Sequence, residues 1–244
     1  MPLMNLPGIA RVHYDSIQNG RYTQADYVAV LDGAWALAVA VCDGAGDDSD
    51  AADAAHISAQ IAAAVAGSTN SGVQGLHAAR TYLQQRNEDA PPGQEGITTA
   101  VVAAITYGGL DLAWVGDSPA WAVHLDGKVV PLTTPSCHPC RTPCNVEEKH
   151  EGGSSWPHRL VTSTDDYARI ILASDGLTAH LPLLGRLDHV NAMLPELSRL
   201  ATPDLDGEYV AAALLDLASR GRGGDNTTVA VIDLLREEQN GGPA

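Results

Sequence analysis

The 244-residue sequence contains no apolar run near the roughly 20 residues that a membrane-spanning helix needs; the longest, residues 34–42, has the length of a strand. Its first residues, MPLMNLPGIA, lack the basic region and long apolar core of a secretory leader, so no membrane association is expected and the cytoplasm is the expected location. Basic side chains are scarce, with 14 Lys and Arg against 30 Asp and Glu and a net charge of −16. Such a surface repels a phosphate backbone, which argues against a nucleic-acid partner. It would equally repel any other anionic ligand, unless bound divalent cations reverse the local field. No repeat of 20–50 residues and no internal linker is visible, so one domain over residues 1–244 is expected, as a monomer.

What is present is a series of short apolar runs punctuated by turn signals. Strands are expected at 9–17, 25–31, 35–42, 97–107, 110–115, 120–125, 128–132, 169–174 and 227–234. Asp32-Gly33, Gly108-Gly109 and Asp126-Gly127 mark tight turns between them. Helices are expected at 50–66, closed by Gly67, and at 73–86, 187–200 and 208–219. Asp47, Asp48, Ser49 and Asp50 suit the N-terminus of the first helix, through capping and its dipole. Residues 133–164 are polar and read as an irregular, flap-like segment, and 236–244 as a frayed tail. Hairpin-linked strands interrupted by paired helices indicate an α+β fold. Strands apolar on both faces indicate two sheets packed face to face with helices outside.

Three apolar runs end in Asp followed by a small residue: AVAVCDGAG at Asp43-Gly44, LAWVGDSPA at Asp117-Ser118 and RIILASDGL at Asp175-Gly176. A fourth, TTVAVIDL, is preceded by Asp225-Asn226. Taken singly, each Asp has an ordinary explanation as a turn residue. Gathered together, strand-end aspartates would form an oxygen-rich pocket for a hard cation such as Mg²⁺ or Mn²⁺.

The order VCDGAG, GITTAVVAA, AWVGDSPAW, ILASDGLTAHL and GGDNTTVAVIDL resembles the metal-dependent protein phosphatases of type 2C over nearly the whole chain. The resemblance implies a four-layer α/β/β/α sandwich of two antiparallel sheets flanked by helices. It implies hydrolysis of phosphoserine and phosphothreonine in phosphoproteins, among them targets of a Ser/Thr kinase, by a water nucleophile activated by two divalent metals, Mn²⁺ or Mg²⁺. Carried over by position, Asp43 bridges the two ions, the Gly44 carbonyl adds a ligand, and Asp175 and Asp225 complete the set. Arg21 holds the substrate phosphate, and Asp26 supports the metal-bound waters.

The sequence also departs from that pattern. Gln24-Ala25-Asp26 replaces the usual Asn-Glu-Asp, Ala45 stands where His or Met is common, and Pro119 replaces Arg. Ala179 replaces an Asp that, with the residue at Asp117, holds a third metal in bacterial relatives; that third site is expected to be weak or absent. These losses leave a second reading open, a pseudophosphatase that uses the fold for binding or regulation. Within 133–164, Cys137, Cys140 and Cys144 with His150 have zinc-ligand spacing, and His158 lies further on. The competing reading of this cluster is an exposed loop with reduced thiols. Cys42, alone in an apolar run, is expected to be a buried small hydrophobe.

Overall fold

The computed structural model describes residues 4–5, 9–134, 157–179, 181, 189–220 and 224–236. Among these residues, eleven strands form two antiparallel sheets. One is built from β1 (Met4–Asn5), β2 (Ala10–Ile17), β7 (Ala120–His124), β8 (Val129–Pro131), β10 (Tyr167–Ala173) and β11 (Thr227–Leu234), in the order β1-β2-β11-β10-β7-β8. The other orders β3 (Asp26–Asp32), β4 (Leu37–Gly44), β5 (Thr98–Thr106), β6 (Gly109–Val115) and β9 (His158–Ser163) as β3-β4-β5-β6-β9. Helices α1 (Ser49–Thr69) and α2 (Gly72–Glu88) cover the second sheet. Helices α3 (His189–Ala192), α4 (Leu194–Leu200) and α5 (Gly207–Arg220) cover the first. The expected α+β four-layer sandwich is the observed one.

The period-two geometry of a strand explains the continuous apolar runs. In β4, Leu37, Val39 and Val41 enter the core between the sheets, while Ala38, Ala40 and Cys42 pack under α1 and α2. In β11, Ala230 and Ile232 face the inter-sheet core and Val229 and Val231 face α5. Cys42 is buried as expected, and burial pushes its thiol pKa up, away from the reactive thiolate.

Close approach depends on small residues. A Cβ on Gly33 would lie 2.2 Å from the backbone of Gly67, and one on Gly75 would lie 2.5 Å from the Ala62 carbonyl. Gly67 therefore does not close α1 as expected. It lies inside the helix, and its carbonyl accepts from the Trp35 and Ala36 amides of the β3–β4 connection. The helix ends two residues later, where Asn70 takes the left-handed conformation at φ 52°. At the other end, Asp48 caps α1 by accepting from the Ala51 amide at 2.9 Å.

Other expectations change. The segment expected to be irregular, 133–164, contains β9, which pairs with β6 from Gly109↔Ser163 to Trp114↔His158. Its sequence, HRLVTS, has no apolar run because it is an edge strand, and its side chains alternate between half-buried and exposed. Within it, His158 stacks on Trp114 with ring centroids 5.3 Å apart. Cys137, Cys140, Cys144 and His150 lie outside the described residues. The helix expected over 187–200 is two helices, because Pro195 lacks an amide donor and sits in the first turn of a new helix. The short β1 was not expected.

Antiparallel pairing brings alternate strand beginnings and ends to one edge of the sandwich. There the starts of β3, β5, β7 and β11 meet the ends of β2, β4, β6 and β10. A cleft of about 460 Å³ lined by Thr106, Tyr107, Asp165, Tyr167, Leu234 and others lies at the opposite edge.

Candidate active site

Asp26 begins β3 and sits directly across the ladder from Asp43, near the end of β4. Asp175 follows β10 in the facing sheet, opening a single 3₁₀ turn (Asp175–Leu177). The carboxyls of Asp26, Asp43 and Asp175 lie close enough to act on one another's protonation. Burial pushes the Asp26 pKa up from its ordinary 3.8 to about 7, and the charges of Asp175 and Asp225 add to that, against the hydrogen bond from Ser174 and the neighbouring Asp43. Burial likewise pushes Asp43 well up, with Asp26, Asp175 and Asp225 adding to it. Asp175 is raised by burial and then by Asp225, while Arg21 and His189 pull it down.

The donor set fits a hard dication. Asp26 Oδ1 is buried and has no hydrogen-bond partner among the described residues. Carboxylates crowded this closely are stable together when a divalent charge offsets their mutual repulsion. The sequence-expected ligands Asp43, Asp175 and Asp225 thus act on one another, although they lie far apart in the chain. Gly44 is held by its amide, which donates to the Ala25 carbonyl at 3.0 Å. A Cβ there would lie 2.4 Å from the Ala51 carbonyl, so only glycine fits. Asp117 follows β6 at the same edge.

Arg21 arrives from the β2–β3 connection. Its Nε donates to Asp225 Oδ1 at 3.0 Å and its Nη2 forms an ion pair with the same oxygen at 2.8 Å, with both side chains about one-third exposed. The residue expected to hold phosphate is thus paired with a residue expected to hold metal.

Several supporting residues escaped the sequence reading. Ser174 Oγ donates to Asp26 Oδ2 at 2.6 Å and accepts from the Thr228 amide at 3.0 Å, tying one sheet to the other. Asn226 Oδ1 accepts from the Ala25 amide at 2.9 Å, and its Nδ2 donates to the Gln18 carbonyl at 2.9 Å. Thr98 Oγ1 donates to the Asp43 carbonyl at 2.8 Å, and Thr99 and Ser118 share a hydroxyl hydrogen bond at 2.8 Å. Their signal in the sequence was adjacency to the aspartate motifs; their partners are unreadable without the fold.

A separate group, His13, Asp206 and Glu208, has ligand-type atoms within 4.8 Å of one another. It lies at the start of α5 on the outer face of the sheet. There Arg169, almost fully buried, donates to Asp233 at 2.6 Å and to the carbonyls of Thr202 and Leu205. Asp233 Oδ2 is 3.7 Å from His13 Nε2. This network anchors the 202–206 loop.

A four-layer sandwich with buried carboxylates at one edge has the architecture of the metal-dependent phosphatases. A sequence model of the protein phosphatase 2C family matches residues 14–217, and the chain belongs to that family. Arg21, Asp26, Asp43, Asp117 and Asp175 fall within the match and Asp225 beyond it. No curated protein matches the chain by sequence. Among solved structures, the chain is similar to the serine/threonine phosphatase Stp1 from Staphylococcus aureus, with a TM-score of 0.75 and 16% identity over 96% of this chain and 98% of that one. It is also similar to the catalytic domain of the serine/threonine phosphatase PstP in complex with two manganese ions (TM-score 0.67, 20% identity, 93% and 99% covered). A third similar structure is the phosphatase MsPP from Mycobacterium smegmatis in complex with cacodylate (TM-score 0.65, 22% identity, 93% and 100% covered). At these identities the likeness is one of fold.

Proposed function

We propose that the chain hydrolyses phosphoserine and phosphothreonine esters in phosphoproteins, using Mn²⁺ or Mg²⁺ held by Asp43, Gly44, Asp175 and Asp225. The observation that carries this reading is the convergence, from two facing sheets, of buried Asp26 with half-buried Asp43 and Asp175, and with Asp225 beside them. When bound, the cations would acidify the attacking water and offset charge on the phosphoryl oxygens. Asp26 Oδ1, held in place by Ser174 through the other oxygen, accepts a hydrogen bond from the water and orients it. Arg21 exchanges its contact with Asp225 for the incoming phosphate, whose oxygens match the guanidinium fork. That exchange also frees Asp225 for its role as a ligand. Asp117 serves a third, weaker site, since Ala179 supplies no carboxylate. On this reading the chain works as a single-domain monomer in the cytoplasm on targets of a Ser/Thr kinase.

The test is hydrolysis of p-nitrophenyl phosphate with Mn²⁺, Mg²⁺ or EDTA. Turnover should require the cation and fall at least about 100-fold in Asp43→Asn. A folded wild-type protein with no cation-dependent turnover would instead support a binding module on the same fold, the reading that Ala25, Ala45 and Ala179 favour.

A further inference from the structure

The β2–β3 connection carries Arg21, and its backbone is held by its own Gln18 and by side chains from two other parts of the chain. Asn19 and Gly20 turn it with positive φ of 48° and 94°, and the Arg21 amide donates to the Gln18 carbonyl at 3.1 Å. Gln18 Nε2 donates to the Arg21 carbonyl at 2.7 Å. Asn226 holds Gln18 and Ala25 at the two ends. The remaining clamp is Asp47, whose two carboxylate oxygens accept from the Tyr22 amide at 3.2 Å and the Thr23 amide at 2.8 Å. Those two bonds lower the Asp47 pKa, keeping it ionised.

A backbone fixed so thoroughly presents one side chain with little among the described residues to pack on: Tyr22 is 94% exposed. A large aromatic left in water beside a phosphate-binding arginine is not a folding contact. Adjacent Cα atoms are only about 3.8 Å apart, so the residues flanking a phosphorylated side chain held by Arg21 lie within reach of the Tyr22 ring. The surroundings select the sign of that neighbour. Acidic residues outnumber basic ones 30 to 14, and Asp47 and the exposed Asp48 stand beside this loop. Acidic flanks would be repelled and basic ones attracted, and a guanidinium or ammonium group can also lie on the face of the ring.

Building on the phosphatase reading, we propose that Tyr22, presented by Asp47, is a specificity-determining residue that selects phosphosites flanked by Arg or Lys. Two phosphothreonine peptides differing only in Arg or Glu on either side of the phosphosite test this. Both kcat/KM and binding by fluorescence anisotropy are measured for the wild type, Tyr22→Ala and Tyr22→Phe. The wild type should prefer the Arg peptide. Tyr22→Ala should reduce that preference about three- to ten-fold, and Tyr22→Phe, which keeps the ring, should retain most of it. Asp47→Ala should speed amide exchange at residues 22 and 23 and reduce the preference in the same direction. An equal preference in wild type and Tyr22→Ala, or no preference in the wild type, would overturn the proposal. If neither peptide is turned over, the phosphatase reading fails, and the binding preference with its dependence on Tyr22 still decides this one.

Discussion

Raising the pH from about 5 to about 8 without divalent cations should destabilise this protein, and the structure sets the size of the effect. The Asp26 carboxyl has its pKa raised from 3.8 to about 7, chiefly by burial. Between those values the folded state keeps a proton that the unfolded chain has lost. Stability therefore falls as pH rises through that window, and the loss is complete above the folded pKa. From pH 5 to 8 the window covers about 2 units, or about 3 kcal/mol from Asp26 alone at roughly 1.36 kcal/mol per unit. Asp43 and Asp175 are raised by burial as well and act in the same direction. Urea unfolding in EDTA at a series of pH values measures the slope. Asp26→Asn, whose amide does not titrate, isolates the contribution of this one group: the variant should lose about 3 kcal/mol less than the wild type over the range. Mn²⁺ at pH 8 should raise the wild-type midpoint as the logarithm of its concentration. Parallel curves for wild type and Asp26→Asn, or wild-type stability rising from pH 5 to 8 in EDTA, would refute the reasoning.

Two further perturbations test the packing that holds the site. Gly176→Ala places a Cβ 1.8 Å from the Asn226 carbonyl oxygen, so the backbone at Asp175 or Asp225 must move. A loss of about 3 kcal/mol in urea unfolding is expected, and a midpoint equal to wild type would show that the two loops do not meet as described. Arg169→Met removes a buried guanidinium and leaves Asp233 and the carbonyls of Thr202 and Leu205 without their donor. It should cost about 3 kcal/mol and raise hydrogen exchange through 202–206; protection unchanged there would mean that Arg169 does not anchor the loop.

The strands with apolar residues on both faces were readable because each lies between two cores. β4 and β5 feed alternate side chains to the inter-sheet core and to the helices, so their sequences are continuously apolar. β9 was unreadable for the complementary reason: an edge strand with one exposed face carries HRLVTS, which has no hydrophobic signature. Gly67 looked like a helix terminator, but its lack of a side chain serves the approach of Gly33.

At the candidate site, the local grammar of each motif was in the sequence: Asp43, Asp175 and Asp225 each stand where an apolar run begins or ends, with Gly44 and Gly176 at positions that admit no side chain. Composition likewise established the acidic excess. Which aspartates meet was decided by tertiary structure alone, because two facing sheets carry strand ends more than 100 residues apart to one edge. The pairing of Arg21 with Asp225, the bridge from Ser174 to Asp26 and the hold of Asp47 on the Tyr22 loop all join residues distant in sequence. Such contacts leave no local pattern, since their energy depends on distance and burial in the folded chain rather than on spacing along it.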